Sequence, residues 1–219
     1  MTIQNTSLPQ LPAGITVSTE AGCIDIFNNV FSEEISNKII EIFEEADNIS
    51  DCPIKYSDAL VGNNEPGGEI RSNLILPVQN HYSNSGEQCS CRINDALSFI
   101  QEIFSSCVRH YCEKYNLEIA FDEGFQLLKY YPGKEYKPHC DYGPGSDWRV
   151  LSGLIYLNPS KYEGGATYFV NYQTNINPQS PSIVLFPSNY AYTHRARAVL
   201  SGVKYAIVTW MGPPWTSMP

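Results

Sequence analysis

The chain has 219 residues, 42% of them hydrophobic and 17% charged, a balance that suits one folded domain with a sizeable core and leaves no low-complexity tract or long like-charge run to suggest disorder. Fourteen Lys and Arg against 23 Asp and Glu give a formal charge of -9, which repels a phosphate backbone and sets nucleic acid aside as a partner. No stretch reaches the roughly 20 apolar residues of a membrane span, and Met1 to Val17 has neither the basic nor the apolar region of a leader peptide, so the expectation is a cytoplasmic protein with no membrane partner.

Residues 1–21 read as an extension. A short apolar run, Ile24 to Phe27, leads to Ser32-Glu33-Glu34, an N-cap followed by two acids that favour a helix N-terminus. Ile35, Ile39, Ile42, Phe43 and Ala46 then recur at helical spacing. The stretch from Val61 to Gly68, rich in Gly and Asn, reads as a loop that could serve as a lid. A second helix is predicted from about Ile93 to Tyr115, where Ile93, Leu97, Ile100, Phe104, Cys107 or Val108, and Tyr111 fall on one face. Seven cysteines, Cys23, Cys52, Cys89, Cys91, Cys107, Cys112 and Cys140, are an odd number and read as free thiols. Cys89-Ser-Cys91 lacks both the spacing and the second pair of a zinc site.

From Phe125 onward the pattern changes to strands broken by Pro and Gly: Phe125 to Tyr131, Val150 to Leu157, Ala166 to Val170, Ser182 to Phe186, Thr193 to Val199 and Val203 to Trp210. Helices followed by many short strands predict an α+β protein whose strands close into a sandwich or barrel. A single domain would span 22–211, and 212–219 would be a tail.

In Tyr136-Lys137-Pro138-His139-Cys140-Asp141, strand alternation sends His139 and Asp141 to one face and Cys140 to the other. A metal would need a third ligand, and His81, His110 and His194 are the other histidines. His110 falls in the second helix and His81 in a polar loop beside Tyr82, whereas His194 opens a strand in the β-rich half, so it is the best placed. Two histidines and a carboxylate with open positions are the facial triad of non-haem Fe(II) oxygenases. Downstream, alternation puts Lys204, Ala206, Val208 and Trp210 on one face. A lysine pointing inward wants an anion, either a ligand carboxylate or an Asp or Glu from elsewhere. Gly202 is expected to turn this strand back beside the one that carries His194.

The ordered set Gln126 to Tyr130, Pro132-Gly133, Tyr136, His139-Cys140-Asp141, Arg149, Tyr156-Leu157, Gly164 to Phe169, His194, Val199, Gly202, Lys204 and Trp210 resembles the catalytic domain of prolyl 4-hydroxylases. Ile24 to Phe43 and Arg71-Ser72 resemble it more loosely. The resemblance implies a double-stranded β-helix, or jelly roll, flanked by helices. It implies Fe(II) on His139, Asp141 and His194, with O2 and 2-oxoglutarate as co-substrates. It also implies Lys204 on the distal carboxylate of 2-oxoglutarate, Tyr130 bonded to that group, and Gln126 and Thr167 in the same cofactor wall. Tyr136, Arg149 and Trp210 match positions that line the family's peptide groove, which points to a proline-containing peptide or protein as partner. Ascorbate dependence follows from the likeness alone. Two positions depart from the family: Gly212 stands where a histidine is frequent after the tryptophan, and Ala198 replaces the proline before Val199. The other readings are an oxygenase of a free amino acid or other small molecule, and a non-catalytic metal-binding jelly roll. A bacterial, viral or cytosolic version fits the lack of a leader.

Overall fold

The computed structural model describes residues 8–48, 55–61, 65–66, 68–78 and 88–214. The first half contributes β1 (Thr16–Thr19), β2 (Asp25–Asn28), α1 (Glu33–Asn48), β3 (Ser57–Asp58), β4 (Leu60–Val61), β5 (Glu65–Pro66), β6 (Leu74–Val78), α2 (Gln88–Tyr115) and β7 (Phe121–Asp122). The second half is almost all strand: β8 (Phe125–Tyr130), β9 (Tyr136–His139), β10 (Leu151–Tyr156), β11 (Tyr162–Gly164), β12 (Thr167–Phe169) and β13 (Thr174–Ile176). It ends with β14 (Ser182–Pro187), β15 (His194–Ala196), β16 (Val199–Gly202) and β17 (Lys204–Gly212).

Local chemistry sets the helix ends. Ser32 Oγ accepts the Ile35 N–H at 3.2 Å, capping α1 as its position predicts. Ile39, Phe43 and Ala46 form the buried stripe of that helix. α2 begins at Gln88, earlier than the periodicity indicates, because the sequence of its first turn carries no apolar spacing. It stops where Asn116 takes a left-handed φ of 51° and the Leu117 N–H reaches back to the Cys112 carbonyl at 2.9 Å.

Among the described residues, β1-β2-β14-β10-β17-β8-β6-β3 form a large antiparallel sheet, with β7 paired to the end of β17. A smaller sheet, β13-β12-β15-β9, faces it, and β11–β16 and β4–β5 are separate ribbons. Alternation along the large sheet divides its side chains. Phe125, Leu127, Leu151, Ile155, Ile183, Leu185 and Ile207 pack outward on Phe43, Ile100 and Phe104 of the helices. Leu128, Tyr130, Tyr156, Val184, Phe186, Ala206, Val208 and Trp210 point inward in two smaller clusters. The result is the expected jelly roll flanked by helices, with its site on the inward face.

Two local expectations are corrected. The run Thr193 to Val199 is two strands, because the backbone changes partners midway: β15 pairs with β12 and β9, but β16 pairs with β11. Gly202, at φ +74° and so close to the Lys161 carbonyl that a Cβ would strike it, does not return the chain beside β15. It sends β17 into the other sheet, between β10 and β8. The stretch from Val61 to Gly68 includes part of the β4–β5 hairpin, and residues 62–64 and 67 of the expected lid lie outside the described residues. Thr16–Thr19, within the expected extension, pairs with β2. No helix among the described residues is long and apolar enough to cross a membrane.

Candidate active site

Strand pairing brings the two histidines together, since His139 at the end of β9 sits opposite His194 at the start of β15. Their rings lie 4.4 Å apart. Asp141 follows β9 by two residues in a loop whose Asp141 and Tyr142 N–H groups both donate to the Ser188 carbonyl, at 3.2 and 3.0 Å. One ligand-capable atom from each of His139, Asp141 and His194 lies within 4.8 Å of the others, the one such cluster among the described residues. His139 Nε2 is 3.6 Å from Asp141 Oδ1, and His194 Nε2 is 3.9 Å from Oδ2.

The ring orientations follow from what the other nitrogens meet. His139 Nδ1 lies 2.8 Å from the Lys137 carbonyl and His194 Nδ1 lies 3.1 Å from the Tyr192 carbonyl. A carbonyl only accepts, so each Nδ1 carries the proton and each Nε2 presents a lone pair to the cluster. Burial, reinforced by His194, pushes the His139 imidazole well below its ordinary range. Burial alone would raise the Asp141 carboxyl, but His194, His139 and the Ser152 hydroxyl outweigh it and hold the group below its ordinary value. Neutral His139 and ionised Asp141 are the forms a divalent metal requires. The donor set fits Fe(II), and its nitrogen and oxygen ligands leave room for a chelating co-substrate.

Lys204 stands at the other end of the same cavity, 2% exposed. Its Nζ donates to the Gly165 carbonyl at 2.6 Å and lies 4.5, 5.5 and 5.9 Å from the ring centres of Tyr156, Tyr130 and Tyr162. Among the described residues no carboxylate pairs with it, and burial pushes the ammonium down to about 7. Burial raises the phenols of all three tyrosines, so none is a counter-anion. The cage around the ammonium carries no anion of its own, and with the lysine protonated it is one anion short of balance, which suits an incoming carboxylate.

Tyr130 and Thr167 line this cavity, and Thr167 Oγ1 is 2.6 Å from the Tyr156 hydroxyl. Gln126 shares the inward face of β8, but the lining stops at Leu128, so Gln126 does not reach the cofactor wall. Tyr136 stacks on His139 with ring centres 3.6 Å apart, and Trp210 closes the side near Asp141. Arg149 does not line the cavity. Its Nε and Nη2 donate to the Glu123 carboxylate at 2.6 and 2.5 Å, and its guanidinium lies 3.8 Å from the Trp210 ring centre. His110 faces the Pro9 carbonyl, away from the cluster. His81 lies outside the described residues, as do the side chains of Cys89 and Cys91.

Sequence reasoning missed Arg71 as a site residue. It lines the cavity and places its guanidinium 4.9 Å from the Tyr136 ring centre, through an isolated bridge between the two backbones. It also missed Ser152, which donates to Asp141 Oδ2 at 2.6 Å. A serine on the inward face of an otherwise apolar strand was the available signal.

Comparison with known proteins agrees with this geometry. Residues 125–212 match the family model described as the 2OG-Fe(II) oxygenase superfamily. The chain is 30% identical over 112 residues to prolyl 4-hydroxylase subunit alpha-1 of Gallus gallus, a match covering 43% of this chain and 22% of that subunit. The chain spans less than half the length of the curated relatives it matches. Among solved structures, a prolyl hydroxylase of Trichoplax adhaerens in complex with a hypoxia inducible factor peptide superposes with a TM-score of 0.64 at 22% identity, over 86% of this chain and 83% of that one. A viral collagen prolyl hydroxylase of Paramecium Bursaria Chlorella virus-1, in its 2OG complex, gives 0.59 at 18% identity, over 88% of this chain and 97% of that one. At such identities the structural likeness establishes the jelly-roll fold.

Proposed function

We propose that this chain, a 2OG-Fe(II) oxygenase resembling the prolyl hydroxylases, hydroxylates C4 of a proline in a peptide or protein. The overall conversion would be 2-oxoglutarate, O2 and a C–H bond to succinate, CO2 and a C–OH group. The observation that carries the reading is the joining of His139, Asp141 and His194 in one cavity with a buried Lys204 that no carboxylate meets among the described residues. Bound Fe(II) would supply the activation of O2 and the oxidative decarboxylation of 2-oxoglutarate. Ascorbate, as a reductant that keeps the iron ferrous, belongs to the same likeness.

The chain's own residues would bind and orient. His139 and His194 offer Nε2, Asp141 offers its carboxylate, and the backbone carbonyls behind the rings keep those atoms aimed. Lys204 would take the distal carboxylate of 2-oxoglutarate in a site dry enough to make that pair strong. Tyr130, kept protonated by its burial, offers a hydroxyl donor beside it, with Thr167 on the adjoining wall. Gln126 is left without a part in this reading, because it does not line the cavity. We read 22–211 as one oxygenase domain, with 1–21 and 212–219 outside it.

Tyr136 and Trp210 would clasp the proline ring between aromatic walls. Arg71 adds a donor for the carbonyls of an extended chain. Arg149, held by Glu123, would act mainly by fixing the Trp210 ring. The Gallus gallus relative and the peptide in the Trichoplax adhaerens complex favour a peptide over a free amino acid.

The test is to admit O2 to protein loaded with Fe(II) and 2-oxoglutarate, together with proline-rich peptides or free proline, and to assay succinate and substrate mass. Peptide-stimulated succinate with one oxygen added to proline, both lost in Asp141→Ala, is the expected result. Succinate with modified free proline and no modified peptide would replace the substrate, and a silent, iron-loaded wild type would sink the reading.

A further inference from the structure

Asp141 sits in a loop, where a carboxylate can rotate, yet Ser152 of the large sheet bonds it and Ser188, just after β14, backs that serine. Ser152, on the inward face of β10 and fully buried, donates to Asp141 Oδ2 at 2.6 Å. A carboxylate only accepts, so the one proton of the Ser152 hydroxyl is committed to Asp141. Ser188 Oγ lies 2.8 Å from Ser152 Oγ and must therefore be the donor in that pair. Donation runs in one direction, from Ser188 to Ser152 to Asp141.

Ser188 is itself fixed, because its N–H donates to the Val150 carbonyl at 3.2 Å and its own carbonyl receives the Asp141 and Tyr142 N–H groups. Both serines are no more than 1% exposed, so water does not substitute for either hydroxyl. The pair ties the loop after β9 to β10 and to the residue after β14, bridging the two sheets beside the histidines.

We propose that Ser152, oriented by Ser188, is a positioning residue that holds one oxygen of Asp141 so that the carboxylate serves the metal through the other. The inference rests on the iron-site reading. A hydrogen bond to an ionised acceptor is among the stronger ones, and an oxygen engaged in it is a poor second arm for chelation. Without the hydroxyl, the carboxylate would lose the contact that fixes its rotation and would present its other oxygen to a metal less well.

The experiment titrates metal-free wild type, Ser152→Ala and Ser152→Thr with Co(II), an oxygen-stable stand-in for Fe(II), reading affinity and the visible absorption that reports coordination. The expected result is that Ser152→Ala binds Co(II) roughly 10–100-fold more weakly with an altered spectrum, while Ser152→Thr, which keeps the hydroxyl, behaves as wild type. Wild-type affinity and spectrum in Ser152→Ala would overturn the proposal, and so would a threonine variant as weak as the alanine one. Should Ser152→Ala fail to fold, Ser188→Ala carries the test, since it leaves the Ser152 hydroxyl in place but frees it to turn: a several-fold loss is expected and an unchanged affinity overturns the proposal. A wild type that takes up no Co(II) would instead strike at the iron site itself.

Discussion

A lysine ammonium 2% exposed, with no carboxylate beside it among the described residues, makes binding and protonation one event. Burial lowers the group to about 7 from its ordinary 10.5. An arriving carboxylate favours the charged form, so 2-oxoglutarate binding takes up a proton, and its affinity falls as pH rises through about 7. Calorimetry in two buffers of different ionisation enthalpy reads this uptake directly; equal heats would contradict it. For folding the sign is opposite. Between about 7 and 10.5 the unfolded chain binds the proton that the folded, ligand-free chain does not, so this residue adds stability as pH rises across that window. At this scale much was legible: the His139-Cys140-Asp141 spacing and the Lys204 face pointed to one cavity, although Asp141 lies in the loop after β9 and not on the strand. Arg71 was not, because only a bridge to Tyr136 across a long sequence gap brings it in, and Gln126 shared a strand face without sharing the cavity.

Elements meet the site through close packing. Gly153 of β10 lies under Phe104 of α2, where a Cβ would come within 2.5 Å of the ring, and that ring is 1% exposed and packs edge-on against Phe125. Gly153→Ala is expected to cost roughly 1–3 kcal/mol by overpacking, read as a lower urea midpoint with unchanged slope. A neutral result would mean that α2 can lift from the sheet. Because Ser152 is its neighbour, metal affinity should fall with stability. Helix α1 was legible from its cap and spacing, and the β8, β10 and β17 runs from their apolar alternation. The division of Thr193 to Val199 and the destination of Gly202 were not, since alternation tells which face a residue takes but not which sheet a strand joins.

Among the described residues the site lies between the two main sheets, and the ligands come from β9, its following loop and β15 while Lys204 comes from β17. Metal and co-substrate should therefore clamp one sheet to the other. Loading with Mn(II) and 2-oxoglutarate at about 100 times their dissociation constants is expected to add roughly 2.7 kcal/mol for each tightly bound ligand, raising Tm, and chelation should return it to the metal-free value. An unchanged Tm would mean that neither binds the native state. Composition showed one domain-sized core but not its topology; the jelly roll was legible only through the ordered motif set. The edge strand β1 escaped notice because four small, mostly polar residues carry no apolar pattern.

The central claim is that one cavity binds 2-oxoglutarate through a metal at one end and Lys204 at the other. Calorimetric titration of 2-oxoglutarate into wild type, Lys204→Ala and Asp141→Ala, each with and without Mn(II) under anaerobic conditions, tests it most directly. The account predicts tight binding only to metal-loaded wild type, with roughly 2–5 kcal/mol lost in Lys204→Ala and metal dependence abolished in Asp141→Ala. Equal binding with and without metal, or a Lys204→Ala variant that binds as wild type does, would contradict it.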